Sequence, residues 1–291
     1  MTIPNRIRIH GFTDSVKLMN LYEIKNLSDF FLIYESKNQV ISEEKAVSQM
    51  KESLHAMIES IEKGKQHPNR TPSGLIQGGA DKIKHLLNKG GSLLSPSFTE
   101  VIYNTLAVAE LNACMGRIVA APTAGSAGVL PGAFLTIAFQ HNLSEEKMIE
   151  SLFVAGGIGE IIALNASLAG ALHGCQAENG SASAMTAAAI VYLFSHDPEI
   201  IESAASFALK NLLGLVCDPI AGLVEVPCVK RNVVASINAI ACAEMALAGI
   251  KTVVPFDEVV KAMEEIGSVM PWSLRETSQG GLAISESAKK Y

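Results

Sequence analysis

A chain of 291 residues is long enough to bury a large core, as one big domain or two modest ones. Its formal net charge of −6 and its scattered Lys and Arg residues give no basic field for a phosphate backbone, which argues against nucleic acid as a partner. Apolar residues make up 48% of the chain but aromatics only 5%, so the core must be built largely from Ala, Gly, Val, Ile and Leu, with backbones packed close together.

The N-terminal stretch Met1–Lys17 has no apolar run between a basic start and a small-residue cleavage site, so no secretory signal is expected and the chain should stay in the cytoplasm. From about Asp14 to Lys63 the sequence is charged and amphipathic. Ser42 can cap a helix whose first turn carries Glu43 and Glu44, and Val47, Met50, Leu54, Met57, Ile58 and Ile61 recur at helical spacing. The turn-forming run His67-Pro68-Asn69-Arg70-Thr71-Pro72-Ser73-Gly74 cannot continue a helix. This predicts an N-terminal helical region over 1–66 and an all-helical domain over 67–291. A loop is expected between Gly90 and Ser97.

Beyond that loop come Ala-rich segments expected as helices: Phe98–Cys114, Ser144–Leu172, Ser181–Phe194, Glu199–Leu213, Asn232–Ala248 and Phe256–Val269. No alternating strand pattern interrupts them, so the predicted class is all-α, a multi-helix bundle packed through small residues. The pairs Ala155/Gly159 and Gly170/Gly174 have the four-residue spacing that lets helices approach closely. Uncharged runs from Ile118 to Ser144, Ile161 to Ala177 and Asn179 to His196 raise a membrane-type bundle as an alternative. Pro122, Pro131, Gly125, Gly128, Asn165 and His173 break these runs, and no Lys/Arg asymmetry flanks them, so no membrane is expected. The Gly-rich stretch Gly74–Lys82 lacks the Lys-Ser/Thr ending of a P-loop, and Gly156-Gly157-Ile158-Gly159 follows no strand, so neither is a nucleotide site.

Five cysteines at wide spacing argue for reduced thiols rather than a disulfide framework. Cys175 follows a glycine at what reads as a helix break that exposes its thiol, and Cys217 and Cys228 bracket a Pro- and Gly-containing loop. Thiols at such junctions suit metal ligation, whereas Cys114 and Cys242 sit in Ala-rich runs and read as buried, helical core residues. Without a CxxC pair, the spacing alone is weak evidence and favours structural thiols over metal ligation.

Longer strings narrow this. Gly174-Cys175-Gln176-Ala177-Glu178 through Met185, Cys217-Asp218-Pro219 through Cys228-Val229-Lys230-Arg231-Asn232, Gly116 through Gly128, and the tail Leu274–Thr277 with Gly280–Ala283 occur in order from about Thr71 onward. They resemble the motifs of iron-sulfur L-serine dehydratases, in the alpha chain of the two-chain form.

That resemblance implies a [4Fe-4S] cluster held by Cys175, Cys217 and Cys228, with one iron lacking a protein thiolate. It further implies L-serine as substrate, a separate beta chain as partner, and dehydration to pyruvate and ammonia without pyridoxal phosphate. An open iron can act as a Lewis acid on the hydroxyl and carboxylate of serine. The loop Thr123-Ala124-Gly125-Ser126 is the expected substrate seat, its two hydroxyls binding a carboxylate; a tight interhelical turn is the plainer reading. Ser73, Gly74 and Lys82 form a second candidate patch, and Arg275 is expected to pair with the substrate carboxylate or a buried Glu. No residue has a clear claim as the base for the α proton, and His173 reads as structural. Asn179 and His173 depart from the pattern, at positions where a small apolar residue and Gly are expected. A related lyase acting on another β-hydroxy amino acid fits the same motifs.

Overall fold

The computed structural model describes residues 3–66 and 68–291; Met1, Thr2 and His67, where the second domain is expected to begin, lie outside the described residues. No β-strand occurs among the described residues, only two isolated bridges, so the class is all-α as expected.

The N-terminal helices are α1 (Phe12–Leu21), α2 (Leu27–Gln39) and α3 (Glu43–Gln66). Their starts follow from side-chain acceptors. Asn26 Oδ1 takes Asp29 N at 2.9 Å, and Ser42 Oγ takes Lys45 N at 3.2 Å. At α1 the same role falls to Asp257, 244 residues distant, whose carboxylate accepts Phe12 N at 2.6 Å and Thr13 N at 3.1 Å. Phe12, Phe30, Phe31, Leu54, Met57 and Ile61 bury into the same apolar cluster as Phe153, Ile158 and Tyr192, so the N-terminal region and the rest of the chain share one core.

After the turn at 68–78 come α4 (Gly79–Asn88) and α5 (Pro96–Ala113), the latter capped by Ser95 with Pro96 in its first turn. The glycines at the start of α4 leave no room for a phosphate, because Gly79 N and Ala80 N donate to the Glu110 carboxylate at 2.7 and 3.2 Å. A π turn at Pro131–Leu135 leads into α6 (Thr136–Gln140).

Next is α7 (Glu145–Asn165), which stops seven residues short of its expected end. Asn165 Nδ2 turns back onto Ile161 O at 2.8 Å, and Ser167 Oγ accepts Ala169 N at 3.1 Å, so local side-chain bonds replace the helical ladder. A single short turn, α8 (Gly170–His173), follows. Among the described residues α7 is long and apolar enough to cross a membrane by length and composition, and its apolar window is 67% buried against other helices.

A π turn at Gln176–Gly180 runs directly into α9 (Ser181–Phe194). Every residue of α9 except the last is buried, and it packs against α7, α10 (Pro198–Lys210) and α11 (Cys228–Leu247). A helix enclosed on all sides needs small residues on all sides, which is why Ala, Ser and Thr dominate it. Two of its hydroxyls bond to backbone carbonyls, Thr186 Oγ1 within the helix to Ala182 O at 2.7 Å and Ser183 Oγ across to Ala235 O of α11 at 2.9 Å. The chain ends in α12 (Phe256–Val269) and short 3-10 turns.

The Ala155/Gly159 pair behaves as expected, since a β-carbon on Gly159 would stand 3.0 Å from the Met185 sulfur of α9. Gly170/Gly174 does not bring two helices together. The two glycines flank α8 and make room for Glu178 and Met270 instead.

Adjacent glycines in α7 give a paired test. A β-carbon on Gly157 would fall 2.4 Å from the Phe31 ring, whereas Gly156 has nothing within 4 Å. Gly156→Ala is expected to stabilise by about 0.5–1 kcal/mol through lost unfolded-state entropy, and Gly157→Ala to destabilise by about 1–3 kcal/mol through overpacking. Urea unfolding of the two variants checks the opposite signs.

Candidate active site

Cys175, Cys217 and Cys228 all come to the N-terminal end of α9, each by a different local device. Gly174 adopts φ 74°, and a β-carbon there would stand 2.7 Å from Leu215 O; only glycine lets the chain turn so tightly into Cys175. Cys217 lies in an extended stretch pinned on both sides, its N–H donating to Leu274 O at 2.9 Å and its carbonyl accepting Glu276 N at 2.7 Å. Cys228 is the first residue of α11, which begins four residues earlier than expected because Glu225 O accepts Val229 N at 3.0 Å ahead of the predicted start.

All three thiols are free and buried, so Cys175 is not the exposed thiol its flanking glycines suggest. Burial pushes Cys175 up to about 11, and burial together with the charges of Cys175 and Glu178 pushes Cys228 to about 12. Cys217 rises for the same reason, with Cys175, Glu178 and Cys228 adding to the effect of burial. The three groups therefore sense one another in one low-dielectric space. Among the described residues no set of three His, Cys, Asp or Glu side chains converges on a single ion. A cluster of several irons accepts thiolates spread more widely than one ion does, and three buried thiols whose ionised forms are costly are a donor set that added positive charge would favour as thiolates. The residues present fit such a group.

Two donors already favour a thiolate at Cys175. Asn179 Nδ2 donates to its Sγ at 2.8 Å, and Arg231 also bonds it. Asn179 thus has a use that its departure from the expected pattern did not suggest, although its Oδ1 stays buried without a partner. Arg231 is fixed by Asp218 Oδ1 at 2.8 Å and Val216 O at 2.7 Å, and Asp218 Oδ2 accepts Leu282 N at 2.8 Å. The tail Gly280–Ala283 thereby folds over the segment that carries Cys217. Gly281, at φ 58°, is required there because a β-carbon would collide with Asp218.

The loop Thr123–Ser126 reaches the same end of the molecule, held by Asn112 Nδ2 on Ala124 O at 2.9 Å and Asn232 Nδ2 on Gly125 O at 2.7 Å. Its hydroxyls are already engaged. Thr123 Oγ1 donates to Glu178 Oε1 at 2.7 Å, and Ser126 is fully buried with its Oγ 3.2 Å from Thr123 Oγ1. The carboxylate that the loop binds is the chain's own.

Ser73 and Gly74 lie in a second cluster. Thr71 and Ser73 hydroxyls both donate to Glu225 Oε2 at 2.6 Å, tying the 68–78 turn to the loop between Cys217 and Cys228. Lys82 is exposed on α4 with its charge toward Glu110. Among the described residues Arg275 pairs with no carboxylate: its guanidinium donates to Ser268 O at 2.9 Å and Met270 O at 2.8 Å, closing the end of α12, while its backbone pairs with Cys217. His173, expected to be structural, lies at the end of α8 against α12. Its ring packs on Gly267, and Nδ1 stands 3.1 Å from Glu264 Oε2, off the hydrogen-bonding direction. Cys242 is buried in α11, but Cys114 is only half-buried, at the end of α5 beside Arg70 O.

Glu178 was quoted in the sequence motif without a role. It is the only Asp, Glu, Lys or Arg between Glu160 and Asp197, a signal present in the sequence alone. Burial raises its carboxyl, Thr123 opposes the rise, and Glu276 adds to it.

Glu225→Ala is expected to leave two hydroxyls without an acceptor, costing about 1–3 kcal/mol. Urea midpoints and faster tryptic cleavage at the exposed Arg70 check this.

The pattern of the family described as "Serine dehydratase alpha chain" matches residues 17–283. A probable L-serine dehydratase alpha chain of Bacillus subtilis is 46% identical over 264 residues, 91% of this chain and 88% of that one. The L-serine dehydratase alpha chain of Peptoniphilus asaccharolyticus is 41% identical over 262 residues, 90% of each chain. L-serine dehydratase 1 of Escherichia coli is 43% identical over 183 residues, 62% of this chain but 40% of that one. The chain belongs to the serine dehydratase alpha chain family.

Proposed function

From that membership we propose that the chain is the iron-sulfur subunit of a cytoplasmic L-serine dehydratase, completed by a separate beta chain and independent of pyridoxal phosphate. The observation that carries the cofactor assignment is the set of three free, buried, mutually coupled thiols at one end of α9. Cys175, Cys217 and Cys228 would hold a [4Fe-4S] cluster, and reduced thiols of this kind belong to a reducing compartment. The relatives' names support serine as substrate and an alpha–beta division of labour.

When bound, the cluster supplies a Lewis acid for the hydroxyl and carboxylate of serine. The chain's own residues do the rest. Asn179 and Arg231 keep Cys175 a good ligand by donating to its sulfur. The pinned strand at Leu274–Glu276 and the tail over Asp218 hold Cys217 in place and shield it from water. The Thr123–Ser126 loop, braced by Asn112 and Asn232, forms the wall against which the substrate is seated. The reaction removes water from L-serine to give aminoacrylate, which tautomerises and hydrolyses to pyruvate and ammonia. A closely related β-hydroxy amino acid such as threonine would fit the same chemistry, and substrate profiling separates the two.

Anaerobic co-expression with the beta chain, followed by iron and sulfide counts, EPR and a pyruvate assay, tests this reading. Cluster signals and serine-dependent pyruvate are expected, bleaching in air. Cys217→Ala and Cys228→Ala should each abolish both; full activity in these variants, or a colourless iron-free wild type, would overturn the assignment.

A further inference from the structure

The site as built gathers one carboxyl group and three thiols, with no free cation beside them among the described residues. Glu178 makes no ion pair among the described residues, and Glu276 and the thiols of Cys175, Cys217 and Cys228 stand near it. The one guanidinium bonded to this cluster, Arg231, is committed to Asp218, Val216 O and Cys175. Thr123 satisfies only Oε1 of Glu178.

The carboxylate is also placed with care. A β-carbon on Gly125 would stand 2.8 Å from Oε1, and one on Gly170 would stand 2.6 Å from Oε2 and 3.3 Å from Cys217 Sγ. Two glycines on separate segments thus clear the space this one carboxylate occupies, immediately beside a proposed cluster ligand and against the substrate loop.

A serine whose hydroxyl and carboxylate face the cluster still presents its α-ammonium, a cation that must find an anion once water is excluded. We propose that Glu178 binds the α-ammonium of the substrate and so selects 2-amino acids over their 2-hydroxy analogues. This rests on the serine dehydratase reading above. Glu276, at φ 62° and half-exposed, is the less enclosed carboxylate and serves as the control. Thr123 acts through Glu178 as a positioning residue, holding Oε1 and leaving Oε2 beside Gly170 and Cys217.

The test uses the anaerobic alpha–beta holoenzyme and two probes: L-serine, and L-glycerate, in which a hydroxyl replaces the ammonium. Calorimetric affinities are compared for wild type, Glu178→Gln, Glu178→Asp and Glu276→Gln, alongside iron content and EPR. Glu178→Gln is expected to weaken serine by roughly 10- to 100-fold while changing glycerate little, with the cluster signal intact. Glu178→Asp should recover part of the loss, and Glu276→Gln should leave the discrimination in place. Equal weakening of both probes, unchanged serine affinity, or loss of the discrimination in Glu276→Gln alone would overturn the proposal. Loss of iron in Glu178→Gln would also count against it, since cluster retention would then be the role of Glu178. A wild type that neither binds serine nor makes pyruvate fails at the earlier step and is recognised there.

Discussion

A set of acidic groups buried at the N-terminal end of α9 is the constraint around which the remainder is arranged. Three thiols and Glu178 crowd a space in which a single guanidinium is present, and desolvation makes each of them costly to ionise. An apolar bundle has no reason to gather such groups. The donors that surround them, from Asn179, Arg231 and Thr123, all favour the charged forms, as a site prepared to receive cations requires.

The small-residue core is what makes that arrangement stiff. Because α9 is enclosed by α7, α10 and α11, its first turn cannot shift without moving all three. The preceding π turn is anchored by Gln176, whose amide donates to Met263 O at 3.0 Å and accepts Gly214 N at 2.8 Å. Cys175 and Glu178 therefore inherit the rigidity of the core, while Cys217 and Cys228 are tied in through the tail and α11. The site consists of segments remote in sequence, each held by a bond to a rigid helix rather than by its own local structure.

Much of this was legible in the sequence, for physical reasons that also mark where it stopped. Segment composition without strand alternation placed α12 at Phe256–Val269 and α9 at Ser181–Phe194, because Ala-rich runs such as α9 favour helix wherever they are buried. The glycines and prolines around Cys175, Cys217 and Cys228 correctly put them at junctions. What failed depended on contacts between segments. The break after Asn165 is made by side chains bonding back to the backbone, which composition does not distinguish from helix. The engagement of Thr123 by Glu178, of Ser73 by Glu225 and of Arg275 by the end of α12 each pairs residues whose proximity exists only in the fold. Cys114 read as core because it sits in an Ala-rich run, yet it lies one residue past the last turn, where burial ends.

The relatives' lengths bear on how such a site is completed. The chain covers nearly all of the alpha chains it matches but 40% of L-serine dehydratase 1 of Escherichia coli and 63% of that of Streptomyces coelicolor, so those proteins carry further sequence in the same polypeptide. The match to the Streptomyces coelicolor protein spans 98% of this chain, and so takes in the thiols, Glu178 and the bracing asparagines. Whatever a second segment adds, fused or separate, must meet a site whose ligands and anions are already fixed by α9, α11 and the C-terminal turns. Covering that site would strip water from it and strengthen the electrostatic interactions within it.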